Sequence, residues 1–202
     1  MTSRAVVWLT ALWLAVALVV SGAGVLRALP FPGPQLLILT VTIAVLVVVL
    51  GVPSLRRWAA VVDPRAFVVL HLGRFVGFYF LYLYGRGELP YAFAVPGGWG
   101  DNVVAAGVVV LLLMGRPTPA WWRRGYLVWN VVGFADIVMV VITAARIAAR
   151  DPSALAPLTR LPLALLPTFL VPAVIATHVL LFWRLWREAR EGHSAYTPST
   201  AP

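Results

Sequence analysis

Residues 35–52 read QLLILTVTIAVLVVVLGV, and between Gln35 and Val52 only Thr40 and Thr42 carry polar side-chain atoms. A hydrocarbon core about 30 Å thick takes roughly 20 helical residues to cross, so this stretch has the length and chemistry of a transmembrane helix, ended by Pro53. Five further stretches of the same character, at about 5–29, 66–84, 101–114, 126–149 and 161–186, occupy most of the remaining chain. A mean hydropathy of +0.91 with 61% apolar residues over 202 positions has no soluble explanation at this length. The chain is therefore expected to be all-α, a polytopic transmembrane helical bundle of six spans forming one domain over residues 1–186. The polar, Pro-containing tail, 187–202, is expected to be cytoplasmic and disordered.

The first stretch has a second reading. Arg4, the apolar run to Val20 and the small residues Ser21, Gly22 and Ala23 fit a cleavable leader. The apolar run continues to Leu29 and five spans follow, so an uncleaved first helix is expected. There is no cysteine, which excludes disulfides, iron–sulfur clusters and thiolate zinc sites. A Gly-rich phosphate loop with Lys, a GxSxG elbow, an HExxH pair and a Rossmann fingerprint are all missing, so ATP-driven chemistry within this chain is not expected and no motif names a cofactor.

The net charge of +9 is carried by 16 basic residues, all Arg, and its meaning depends on position. With the N-terminus inside, the inner segments hold Arg4, Arg56, Arg57, Arg65, Arg116, Arg123, Arg124, Arg184, Arg187 and Arg190. The outer segments hold Arg27, Arg86, Arg146, Arg150 and Arg160. The excess on one side places both termini in the cytoplasm and directs the basic surface to anionic lipid headgroups rather than nucleic acid. Trp58, Trp121, Trp122, Trp183 and Trp186 then form an inner aromatic belt, and Tyr82, Tyr84, Tyr91 and Trp99 an outer one.

The fourth stretch, Asp101 to Met114, would make only about 21 Å of helix. The preceding residues 89–100 are apolar and aromatic but interrupted by Pro90, Pro96, Gly97, Gly98 and Gly100. Irregular backbone at membrane depth needs protein or a wet cavity around it, so this stretch is expected to be a re-entrant dip from the outer side, with Asp101 at a helix N-terminus. The alternative is an ordinary interfacial loop with Asp101 as N-cap.

Ionisable residues inside otherwise apolar spans are expensive and normally face the bundle interior in pairs. Span three carries His71 and Arg74, span five Asn130 and Asp136, span six His178. Counting about 1.5 Å per residue from the inner boundary puts His71, Asn130 and His178 roughly 8–9 Å deep, Arg74 about 13 Å, Asp136 about 16 Å and Asp101 near 21 Å. Arg74 is expected to pair with Asp136 and can also reach Asp101. Helical spacing groups His71, Arg74, Phe75, Phe78 and Tyr82 on one inward stripe, and Gly73 with Gly77 forms a GxxxG suited to close helix approach. In span six, Pro167 and Pro172 free the carbonyls of Leu163 and Thr168 and should bend the helix. A plainer account stands beside this one: a buried Arg–Asp pair can simply fix helix register, and a lone His can do no more than donate one hydrogen bond.

Several of these residues fall in ordered segments: Arg74-x-x-Gly77-x-x-Phe80; Gly87-Glu88-Leu89-Pro90-x-x-Phe93-Ala94-x-Pro96-x-Gly98-x-Gly100-Asp101; Trp129-Asn130-x-x-Gly133-x-x-Asp136; and Leu166-Pro167-x-Phe169-Leu170-Val171-Pro172 with His178. Together, over roughly Phe67 to Trp183, they resemble a family of small, uncharacterised bacterial inner-membrane proteins. The resemblance implies a bacterial multi-span protein of the plasma membrane and brings no activity with it.

The first functional expectation is an internal polar cavity between spans three and six that binds or passes a small ligand or protons. His71, Asn130 and His178 would form its inner layer, Arg74 and Asp136 its charged centre, and Asp101 with Glu88 its outward mouth. The second is an intramembrane enzyme or redox protein, with His71 and His178 as axial haem ligands or joining Asp101 or Asp136 around a hydrolytic metal. The third is an accessory or assembly subunit without chemistry, in which Arg74 and Asp136 would be replaceable together by apolar residues.

Overall fold

A chain this rich in Leu, Val and Ala, with its prolines mostly at segment ends, satisfies its backbone groups within helices, and helices are all that form among the described residues. The computed structural model describes residues 2–114 and 120–194. In chain order the helices are α1 (Ser3–Gly22), α2 (Val25–Ala28), α3 (Gly33–Gly51), α4 (Pro53–Val61), α5 (Arg65–Val68), a 3₁₀ segment (Val69–Val76), α6 (Gly77–Gly85), α7 (Tyr91–Met114), α8 (Ala120–Ala148), a second 3₁₀ segment (Pro152–Thr159), a π-turn (Leu166–Leu170) and α9 (Val171–Ser194). Six of the resulting rods are long and apolar enough to cross a membrane. α9 is central and α3 peripheral, with 67% and 6% of their most apolar windows buried. The outer faces of α1 and α3 instead present Trp8, Leu12, Val19, Leu39 and Val47, as a lipid-facing surface would.

Four boundaries differ from the sequence expectation. The stretch before Asp101 is no re-entrant dip. It is helical from Tyr91, and α7 runs for 24 residues, about 36 Å at 1.5 Å per residue, so the fourth span is full length and Asp101 lies within it rather than at its N-terminus. Pro96 lies inside this helix and has no N–H to give the Ala92 carbonyl one turn earlier. The first span breaks at Gly24, whose φ of 74° is a left-handed conformation that favours glycine. The sixth begins at the π-turn rather than at 161. In the tail, residues 187–194 continue α9, while 195–202 lie outside the described residues, as do Arg116 and the side chains of Trp121 and Trp122.

The third span departs most. Buried positions recur every third residue, at Val68, His71, Arg74, Gly77, Phe80 and Leu83, whereas Phe75, Phe78 and Tyr82 are exposed. A 3₁₀ segment has 3.0 residues per turn and aligns i with i+3, which sets His71 and Arg74 in line and breaks the inward stripe expected from α-helical spacing. Gly73 and Gly77 consequently face different neighbours. A Cβ on Gly77 would overlap the backbone oxygen of Gly98 on α7, and one on Gly73 would press Leu170 of the π-turn.

The ends of the bundle are tied by polar contacts. At the end holding the termini, Trp58 of α4 donates to Ser3 Oγ at 3.2 Å. Arg184 donates to the carbonyl of Val62 and Arg187 to that of Ala60 at 3.3 Å, satisfying carbonyls at the C-terminus of α4. Within the span-six bend, Pro172 has no N–H to give Thr168, and the freed Thr168 carbonyl instead accepts from Trp13 of α1 at 3.1 Å. Ser21 donates to Ala164 O at 3.2 Å, and Trp13 lies edge-on to Phe169 with ring centres 4.8 Å apart. Proline chemistry in one helix thereby creates the docking site for another.

Candidate functional site

Arg74 is the hub. Its side chain is 1% exposed and every part of the guanidinium is engaged. Nε donates to Asp101 Oδ1 at 2.6 Å, Nη1 to the Gly133 carbonyl at 2.9 Å, and Nη2 to Asp136 Oδ2. The sequence paired Arg74 with Asp136 and left Asp101 as a second option. The structure brings both carboxylates to one guanidinium, from α7 and α8, so the formal charge of the triad is −1 when both are ionised. Two glycines make the approach feasible. A Cβ on Gly100 would overlap the Asp136 carboxylate, and one on Gly133 would stand 2.7 Å from the His178 ring.

One turn nearer the termini lies a separate histidine layer. Asn130 Nδ2 donates to the His178 carbonyl at 3.1 Å, which turns Oδ1 toward His178 Nδ1, 2.7 Å away. His71 Nε2 is 3.0 Å from Thr177 Oγ1. That hydroxyl also lies within hydrogen-bond reach of the Ala173 and Val174 carbonyls, at 2.8 and 3.0 Å. The two imidazoles touch edge to face with centres 4.3 Å apart, and Trp129 packs on both, at 4.9 and 5.4 Å, while its indole donates to Val104 O at 3.0 Å. His71 Nδ1 and His178 Nε2 have no hydrogen-bond partner.

Axial ligation of a single haem iron from both faces would need ring centres about 6 Å apart, given metal–nitrogen distances of about 2 Å, with the macrocycle between them. Rings in mutual contact and wedged by Trp129 do not fit that arrangement. Among the described residues no three His, Asp or Glu side chains gather into a metal-holding group.

Above the triad, toward the end opposite the termini, opens a cavity of about 410 Å³. Arg74 and Asp101 are at its floor. Its walls come from α3, α8, the π-turn and α9, and its rim from α2, the segment before α3 and the second 3₁₀ segment. Glu88 is not at this mouth. It pairs with Arg86 on the surface at 2.5 Å, in the turn where Gly87 takes a φ of 73°, and that bond raises the Arg86 pKa further. The polar residues at the rim are Arg27, Gln35 and Arg160; the sequence placed both arginines in outer segments but held no signal that these three, far apart in the chain, meet at one opening. Thr177 and the buried Asn102, whose amide atoms have no hydrogen-bond partner, were missed by sequence reasoning. Each sits beside a residue already singled out, and helical adjacency was the available signal.

Fold and site together define the class: an all-helical chain whose six long apolar helices are the signature of a multi-pass membrane protein, built around a buried Arg–Asp–Asp triad. Within that class the chain belongs to the family described as a domain of unknown function (DUF8737), whose model matches residues 31–186. The match begins after α1 and α2 and takes in every residue of the triad and the histidine layer. No curated protein and no solved structure matches the chain.

Proposed function

We propose that this chain is an integral protein of the bacterial plasma (inner) membrane, with both termini in the cytoplasm, that binds a small ligand and exchanges a proton at the cavity floored by Arg74 and Asp101, with Asp136 bound to Arg74 behind that floor. The observation that carries this reading is that a cavity open at one end of the bundle reaches inward as far as Arg74 and Asp101, which line it although both are almost fully buried. The cavity volume and its largely apolar walls with a few convergent polar groups match the general build of ligand sites. Two carboxylates on one guanidinium leave a single negative charge, which one proton or one cationic group neutralises. With the termini inside, the mouth faces the outer leaflet. Toward the cytoplasm the contact of His71, His178 and Trp129 fills the bundle, so binding is favoured over open passage; conduction would require those rings to part.

The cysteine-free chain makes the test clean. Single cysteines at Ile137 and Val141, on the cavity wall, are expected to react with a small aqueous methanethiosulfonate about tenfold faster than one at the outward-facing Val132. Equal, slow reaction at all three would mean a sealed triad and would favour the accessory-subunit reading.

A further inference from the structure

Between its charged floor and its rim, the cavity is walled by an apolar row. Ile137, Val140, Val141, Ala144 and Ala148 line it from α8, at the i, i+3, i+4, i+7, i+11 spacing of one helix face. α3 packs on α9 and the π-turn, and Gln35 and Ile38 of α3 border the same space. The rim carries the opposite charge to the floor. Arg27 and Arg160 are both exposed, and neither forms an ion pair among the described residues. The nearby carboxylate of Asp151 is turned to Ser153, accepting from its N–H at 2.9 Å and its hydroxyl at 2.6 Å, which holds its pKa below the usual carboxylate value. Gln35 Oε1 is buried without a donor.

We infer that the cavity holds a single-chain anionic amphiphile from the bilayer, its phosphate or carboxylate head at Arg27 and Arg160 and its chain lying along the α8 row toward the triad. This rests on the reading of the cavity as a ligand site. A free anion would have no use for the apolar wall, and a neutral hydrocarbon none for two unpaired guanidiniums, which are the preferred partners of phosphate and carboxylate. A cavity of about 410 Å³ has room for an acyl chain, and the α8 residues offer it a single apolar row to lie along. A hydroxyl beside the head would supply the donor that Gln35 lacks.

The probe is tetradecyl phosphate carrying a diazirine at its chain end, added to the full-length protein in phosphatidylcholine nanodiscs and photolysed. Crosslinks are expected at Ile137, Val140 or Val174, at the inner end of the cavity, and should be competed by unlabelled tetradecyl phosphate but not by tetradecanol or inorganic phosphate. Arg27→Gln with Arg160→Gln, both at exposed positions, should weaken labelling about tenfold, and Ala148→Phe should block it by filling the mouth. Labelling confined to outward residues such as Val47 and Leu113, or competition by tetradecanol as effective as by the phosphate, would overturn the inference. Competition by inorganic phosphate alone would assign the arginines to a free anion and overturn it equally. If cysteines in the cavity react with the aqueous reagent while no amphiphile crosslinks there, the ligand-site reading stands and this inference falls; if neither occurs, both fall.

Discussion

Arg74 shows how far single residues could be read. That an arginine, two aspartates and two histidines in apolar helices face inward follows from the cost of the alternative. Which of them meet does not. Depth counting placed Asp101 well above Arg74 because it took the inner ends of the spans as level, whereas the packing of α7 against the third span brings Asp101 within 2.6 Å of the guanidinium. Gly100 matters for the same reason. Gly100→Ala forces a methyl group onto the Asp136 carboxylate, and overpacking of this kind costs about 1–3 kcal/mol. In an Asp136→Ala background the same change should cost almost nothing, a coupling that thermal unfolding of the four variants of a double-mutant cycle will read. Removing Arg74 alone, as Arg74→Met, leaves two carboxylates buried without a cation and should destabilise by about 3–5 kcal/mol. Replacing all three groups together with Met, Leu and Leu should recover most of that stability. A triple variant as unstable as Arg74→Met alone would show that the loss does not come from the uncompensated carboxylates.

At the scale of elements, periodicity was legible and local pitch was not. The six apolar stretches are visible in composition, and α8 keeps its α-helical stripe at Tyr126, Trp129, Asn130, Gly133 and Ile137, all buried. Span three obeys a different rule because residues 69–76 wind as a 3₁₀ helix. This moves Phe75, Phe78 and Tyr82 outward and sets His71, Arg74 and Gly77 in one row. Nothing in the sequence of these residues demands the tighter pitch; it accompanies the close approach of Gly77 to Gly98. From Pro167 and Pro172 the sequence predicted an irregularity in span six, which takes the form of the π-turn Leu166–Leu170, but its partner on α1 was not foreseen. Trp13→Phe should leave the Thr168 carbonyl without its donor and cost about 1–3 kcal/mol. Pro172→Ala restores a backbone N–H to the helix and should reduce that penalty. Comparable losses in both backgrounds would show that the indole hydrogen bond is not what docks α1.

For the whole molecule, an even number of spans puts both chain ends on one side, and in the orientation proposed above, which rests on the arginine excess, that side is the cytoplasm. Single cysteines at Ser3 and Arg190 should be protected from an impermeant thiol reagent in intact cells, while cysteines at Arg86 and Arg150 should label; the reverse pattern would invert the topology and turn the cavity mouth toward the cytoplasm. The sequence by itself determined that the chain is helical, that five stretches have membrane length and a sixth apolar stretch falls short of it, and that a few ionisable residues must share an interior, because burial costs depend on residue type and are local. Only the tertiary structure decided that α7 is one continuous helix, that both aspartates reach Arg74, that the histidines pack against each other beneath Trp129, and that the cavity opens at Arg27, Gln35 and Arg160 rather than at Glu88. Those outcomes depend on where six rods cross and on which glycines let them close, and contacts between residues far apart in the chain leave no period in the sequence to be read.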